Sequence, residues 1–320
     1  MDESQSPEAL REGLLQSLRA RQIDHKFHYE SYKQSRKWLA LHRAYAPSRI
    51  DDDCMAIYAR AFEEAAGRVE SREAWLVGLG CGGGQKDTRL LELLQNAGVQ
   101  PGYIPCDVSL ALVLTARKAA LEQIPADRCQ PLVCDLSNAD VAGILDHSPA
   151  SQSPKVFTFF GMIPNFEPSA ILPRLASMVG PRDWLLFSAN LAPGPDYAGG
   201  VARVIGGYDN ALTRDWLGTF FSDLGVEAQD GAIEFNIEEG QAGLLRIAAK
   251  FRFARARDLT VEDERFAFHP GDTVRLFFSY RHTPETAARC LTEHGLAIEK
   301  QWIASSGEEG VFLCRKKIGS

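Results

Sequence analysis

No C-x-x-C pair occurs among the seven cysteines (Cys54, Cys81, Cys106, Cys129, Cys134, Cys290 and Cys314), and their number is odd. That pattern argues against a disulfide framework or a structural zinc site and predicts reduced, packed thiols. No basic-then-apolar leader opens the chain, which begins MDESQSPEALREGLLQ. Its longest uncharged stretches, such as Val156 to Phe166, fall far short of the roughly 20 apolar residues of a spanning helix. Positive charge is in deficit: 35 Lys and Arg against 42 Asp and Glu leave a net charge of −7. The chain therefore has no general electrostatic footprint for nucleic acid or an anionic membrane. The seven histidines show no metal-ligand spacing, so no metal is expected. There is no G-K-[ST] of a P-loop, no G-x-S-x-G elbow, no internal repeat and no low-complexity linker. These absences leave a soluble, cytoplasmic globular chain of 320 residues, in one large domain or two intimate ones.

What is present is an alternation. Leu10, Leu14, Leu15 and Leu18 have helical spacing, as do Met55, Ile57, Tyr58, Ala61 and Phe62, and Asp51–Asp53 read as a helix start. From Trp75 short apolar runs and helical stretches take turns. Strands are predicted at 75–79, 103–107, 131–135, 155–160 and 184–188, with helices between them. Near-continuous apolar strands separated by helices signal a parallel sheet covered on both faces. After Asn190 the rhythm stops; longer connections and β-type segments follow, such as 244–253 and 274–280. The segments 297–305 and 311–315 read as a terminal hairpin. The predicted fold is α/β, a Rossmann-like doubly wound sheet closed by an antiparallel C-terminal hairpin. The predicted division is a core at 75–194 and 286–320, with a discontinuous second lobe at 1–74 and 195–285.

Gly78-Leu-Gly80-Cys-Gly82-Gly83-Gly84 sits between the first strand and its helix. Glycines there let the backbone approach a ligand closely. Asp107 and Asp135 end the next two strands. Asp107 suits a ribose diol, or a cap on the helix near Ser109; Asp135 suits an adenine amino group, or a turn with Ser137. Two acids beside a glycine turn favour a nucleoside-containing ligand. NAD and S-adenosylmethionine both carry adenosine, but the extra glycines and the antiparallel hairpin suit a class I methyltransferase better. A nicotinamide-dependent oxidoreductase is the alternative, and no hydride-handling constellation supports it.

The chain resembles the histidine-specific S-adenosylmethionine-dependent methyltransferases of the ergothioneine pathway and their relatives over roughly residues 25–316. The resemblance rests on Phe27-His-Tyr29, Tyr45-Ala-Pro-Ser-Arg49, the glycine turn with Lys86, Tyr103-Ile-Pro-Cys-Asp107, Phe160-Gly-Met-Ile-Pro-Asn165-Phe-Glu-Pro168, Gly207-Tyr208-Asp-Asn210 and Ser279-Tyr-Arg-His-Thr-Pro-Glu285. It implies that Gly80, Lys86, Asp107, Asp135 and Leu136 contact S-adenosylmethionine, leaving S-adenosylhomocysteine as product, with Tyr29 near its methionine end. It implies that Asn165 and Tyr208 hold the α-carboxylate of a small amino-acid-like substrate, with Gly161 at the same wall. Tyr45 would be a substrate-side tyrosine, and Ser279 half of a Glu-x-Ser pair gripping the histidine side chain. Tyr45 and Tyr208 are the candidate proton acceptors.

Two departures bear on the substrate. The Glu of the Glu-x-Ser pair falls on Phe277, and the neighbouring methionine falls near Leu245. The first acid of the usual glycine motif is replaced by Gly78. Without an acid, an imidazole would sit unpaired in the pocket, which discriminates against it. The expected function is N-methylation of a free amino acid or a derivative, not Nα-trimethylation of histidine. A histidine ring methyltransferase with a rearranged pocket and a non-catalytic adenosyl-binding protein are the other readings.

Overall fold

The computed structural model describes residues 1–317. Its helices begin where the sequence supplies caps. Ser6 Oγ accepts from Ala9 N and Pro7 takes the first position of α1 (Pro7–Ala20). Ser31 and Gln34 form a reciprocal capping box for α2 (Tyr32–Tyr45). After the single turn α3 (Pro47–Ile50), Asp51 caps α4 (Asp52–Gly67), with Asp52 and Asp53 in its first turn.

The predicted alternation follows. It runs β1 (Glu73–Leu79), α5 (Gln85–Asn96), β2 (Gln100–Asp107), α6 (Leu110–Ala120), β3 (Leu132–Val133), α7 (Val141–Asp146), β4 (Lys155–Phe159), α8 (Pro168–Met178) and β5 (Trp184–Asn190). Only β3 is much shorter than expected. The stretch read as connections and β segments also contains two helices, α9 (Tyr197–Val204) and α10 (Ala211–Asp223). Then come β6 (Gly231–Glu239), β7 (Leu245–Phe253), β8 (Arg257–Val261), β9 (Glu264–Phe268) and β10 (Thr273–Tyr280). The chain closes with α11 (Pro284–Glu293) and the hairpin β11 (Leu296–Ile303) and β12 (Glu309–Lys316).

The main sheet has seven strands in the order β11-β12-β5-β4-β1-β2-β3. Strands β1 to β5 pair in parallel, while β12 is antiparallel to both β5 and β11. The strand order reverses between β1 and β4, and ligands of open α/β sheets bind outside the carboxyl ends at such a switch point. One face of the sheet packs against α4, α5 and α6 through Ile57, Phe62, Leu90, Leu94 and Ala116. The other packs against α8 and α11 through Leu172, Leu175 and Leu291. The sequence division assigns α4 to the second lobe, whereas its apolar face lies in the core of the main sheet. A strand–helix rhythm cannot place a helix that precedes the first strand.

A three-stranded antiparallel sheet, β10-β7-β6, and the hairpin β8-β9 form the other layer. It is covered by α1, α10 and the turn His25–His28 through Leu15, Leu18, Phe27, Trp216, Phe220 and Phe221. The register of β10 against β7 shifts between Arg275 and Phe277. A bulge places two consecutive residues on one side. Leu276 and Phe277 both enter the aromatic core, and Arg275 and Phe278 point the other way. Among the described residues no helix is long and apolar enough to cross a membrane.

Candidate active site

A cavity of about 910 Å³ opens at the switch point, between the ends of β1, β2, β3 and β4 and the second layer. Its floor is the glycine turn. Gly80, Gly82 and Gly84 have φ of +70°, +52° and +76°, the left-handed region that favours glycine. The amides of Gly80 and Cys81 donate to Cys106 O at 2.8 and 2.9 Å, fastening the turn to β2. A side chain at Gly84 would meet Ala116 Cα and Cβ at 2.8 Å, so this glycine also sets how closely α6 approaches.

Asp107 is buried beside this turn. Its Oδ2 accepts from Gly82 N at 3.1 Å and its Oδ1 from Ser109 N at 3.0 Å. Ser109 itself caps α6, so Asp107 is not the N-cap. Each oxygen retains an unused lone pair for a further donor. Burial pushes its carboxyl up to about 6, against the backbone hydrogen bonds that favour the charged form. Asp135 accepts from Ser137 N at 2.9 Å, and from Asn138 Nδ2 at 2.8 Å. It also forms a buried ion pair with Lys26 at 3.2 Å, and Leu136 beside it lines the cavity. The replaced acid of the glycine motif has a counterpart that sequence reading missed. Asp87, in the first turn of α5, places its carboxylate where a side chain on Gly78 would go. It accepts from Tyr103 Oη at 2.6 Å and Thr158 Oγ1 at 2.8 Å, and burial pushes it up to about 6.

Lys86 lines the cavity with its Nζ 3.9 Å from the centre of the Tyr58 ring. Burial lowers its pKa, opposed by the charge of Glu309, which accepts from Tyr58 Oη at 2.5 Å. Tyr29 lines the same space between Trp38 and Trp216, with ring centres 5.7 and 5.4 Å away.

The substrate-side candidates separate into two groups. Gly161 and Asn165 face the cavity. Gly161 N donates to Ser188 Oγ at 2.9 Å, and Asn165 Nδ2 donates to Phe278 O at 2.7 Å. Tyr208 and Ser279 do not line it; they meet each other at 2.7 Å between Oη and Oγ. Tyr208 Oη also accepts from Arg281 Nη2 at 2.9 Å and from Asn190 Nδ2 at 3.5 Å. Two donors therefore point at that hydroxyl. Phe277 stands behind the wall, against Trp216 at 5.8 Å and Tyr208 at 6.3 Å, because the bulge turns Phe278 to the cavity in its place.

Two further candidates, Tyr45 and Leu245, also lie off the cavity. Tyr45 is 48% exposed at the last position of α2, where the chain turns so that Ala46 to Arg49 reach the cavity instead. Leu245 packs toward α9 with Ile247, because successive strand residues face opposite sides; Arg246 between them points toward Glu167 and Phe278.

Over residues 8–316 the chain matches the family described as histidine-specific methyltransferase, SAM-dependent. The chain belongs to that family. It is 23% identical over 283 residues to the histidine N-alpha-methyltransferase of Mycolicibacterium smegmatis, covering 84% of this chain and 82% of that protein. Among solved structures it is similar to an S-adenosylmethionine-dependent methyltransferase from Clostridium acetobutylicum. There the TM-score is 0.48 at 10% identity, over 88% of this chain and 99% of that one. It is also similar to the Burkholderia thailandensis 1,6-didemethyltoxoflavin-N1-methyltransferase, solved with 1,6-didemethyltoxoflavin and S-adenosylhomocysteine. That TM-score is 0.44 at 13% identity, over 89% and 91% of the two chains.

This family member is an S-adenosylmethionine-dependent methyltransferase with the class I fold. Its cavity joins the glycine turn, both strand-end acids, Lys86, Tyr29, Gly161 and Asn165, all singled out from sequence. Lys26, Asp87 and His25 were missed. Lys26 and His25 precede Phe27-His-Tyr29, a motif read without its flanks, and Asp87 follows Lys86 directly, where it resembles an ordinary first-turn acid.

Proposed function

We propose that the chain is an N-methyltransferase for a free amino acid or an amino-acid-derived small molecule, and not for Nα-trimethylation of histidine. S-adenosylmethionine, when bound, supplies an electrophilic methyl group on its sulfonium. The residues present suit that group. The left-handed glycines at 80, 82 and 84 keep the turn free of side chains, and Asp107 has spare lone pairs for a ribose diol. In this reading Gly80, Lys86, Asp107, Asp135 and Leu136 hold it, with Tyr29 at its methionine end. Gly161 and Asn165 bound the acceptor compartment. A neutral amine nitrogen attacks in line, and the chain contributes proximity, orientation and exclusion of water.

The observation that carries the substrate reading is the setting of position 277. Phe277 is buried among Trp216, Tyr208 and His25, where the family resemblance implies an acid for an imidazole. Ser279, the other half of that pair, is occupied by Tyr208. The test is a panel of free amino acids with labelled methyl donor, read by mass spectrometry. Methylation of a non-histidine amino acid is expected, and Nα-methylation of histidine at comparable kcat/KM overturns the reading.

A further inference from the structure

The segment preceding Tyr29 is stitched to β10. Arg275 N donates to Arg21 O at 3.0 Å, and Ile23 N donates to Arg275 O at 2.8 Å. This stitching and the bulge in β10 set His25 and Arg275 against one wall of the cavity. The wall is Phe278: the His25 ring meets it edge-on at 4.7 Å, and the Arg275 guanidinium carbon lies 5.2 Å from its centre. All three residues line the cavity with Asn165.

Neither polar group is fully satisfied among the described residues. Both ring nitrogens of His25 are buried and have no hydrogen-bond partner among the described residues. Native structures rarely leave such groups unpaired, so each one calls for an explanation. Arg275 spends one N–H on Gln22 Oε1 at 2.6 Å, and among the described residues it forms no ion pair. The nearby acids are taken: Glu167 by Arg246, and Glu238 by Arg246 and Lys250. His25 is held neutral, pushed down to about 3 chiefly by burial and then by the charges of His28, Arg275 and Arg246. A neutral imidazole offers one N–H, and a guanidinium offers a planar fork of donors that matches a carboxylate.

We propose that Arg275 and His25 receive a carboxylate of the acceptor substrate, so that the enzyme selects a carboxylate-bearing small molecule. This deepens the proposed function and rests on its reading of the acceptor as amino-acid-like. The resemblance implies an acid at position 277, where this chain has Phe, while the cavity wall beside it presents a cation and an unused imidazole. The chemistry favoured there is an oxyanion, not an imidazole. The carboxylate is either the α-carboxylate of an amino acid or one on its side chain.

The experiment is calorimetric titration of the full chain, loaded with S-adenosylhomocysteine, with L-glutamate, L-glutamine, L-histidine, histamine and glutarate. If the α-carboxylate is held, L-histidine binds at least tenfold tighter than histamine, and glutamate and glutamine bind alike. If a side-chain carboxylate is held, glutamate binds at least tenfold tighter than glutamine. In either case Arg275→Met removes the preference and Arg275→Lys retains part of it. His25→Phe weakens binding severalfold, and all three variants keep their S-adenosylhomocysteine affinity within twofold, which reports an intact fold. Binding of glutarate with no amino acid binding leaves the carboxylate site standing and overturns the amino-acid reading. Wild-type protein that binds none of the five probes overturns the inference, as does a carboxylate preference that survives Arg275→Met.

Discussion

Asp107 meets two opposing demands. Burial disfavours its charge, yet its two amide contacts and any ribose hydroxyl it accepts favour the carboxylate form. The raised value of about 6 gives the signs. In the ligand-free protein, the folded state holds a proton on Asp107 that the unfolded chain has released, over the window from its ordinary 3.8 to about 6. Its contribution to folding is fully present below that window and is lost as pH rises through it. Binding runs the other way: S-adenosylhomocysteine affinity, measured by calorimetry from pH 8 to pH 5, is expected to fall as Asp107 takes up its proton. Asp107→Asn is expected to weaken that affinity about 10- to 100-fold at pH 8, as loss of a charged hydrogen-bond acceptor costs about 1.5–3 kcal/mol. The variant's remaining affinity should vary less with pH. An unchanged affinity would reduce Asp107 to a brace for the glycine turn. Asp107 was legible from its place at a strand end. Asp87 was not, because its role depends on the space left by Gly78 and on Tyr103 from another strand.

At the scale of elements, the glycine turn and the N-terminal segment line the cavity from opposite sides. Gly84→Ala is expected to cost about 2–4 kcal/mol in urea unfolding, through strain at its positive φ and overpacking against Ala116. Gly98→Ala is the matched control. Its φ is +83° with open space around it, so only about 1–2 kcal/mol of strain applies. Equal losses would mean that the approach of α6 is not set by Gly84. On the other side, the segment 1–28 reaches across the end of β3. Asp2 N donates to Val133 O, Asp135 N donates to Ser4 Oγ, and Lys26 pairs with Asp135. Lys26→Met is expected to destabilise the protein by about 3 kcal/mol, because it leaves a buried carboxylate without its cation. Chemical denaturation checks this, and a loss under 1 kcal/mol would show the pair to be solvated. None of these contacts has a sequence signature, since each joins residues more than a hundred positions apart. The β10 bulge is equally silent: Phe277 and Phe278 are the same residue type, and only pairing with β7 decides which one faces the cavity.

At the scale of the whole molecule, the cavity lies between two layers drawn from distant parts of the chain, so a ligand filling it is bound only by the folded state. S-adenosylhomocysteine at a hundred times its Kd is expected to raise unfolding free energy by about 2.7 kcal/mol, seen as an upward Tm shift, while NAD at the same concentration gives none. A shift with NAD would contradict the assignment of the cofactor edge. By itself the sequence determined the strand–helix alternation, the glycine turn, the two strand-end acids and the terminal hairpin. These are local: short apolar runs, helical periods and turn residues within about ten positions of one another specify them. Tertiary structure decided the packing of α4 on the main sheet, the withdrawal of Tyr45, Leu245 and Phe277 from the cavity, and the meeting of His25 with Arg275. Those outcomes turn on helix ends, strand facing and one register shift, which depend on partners far along the chain and are fixed only when both layers pack.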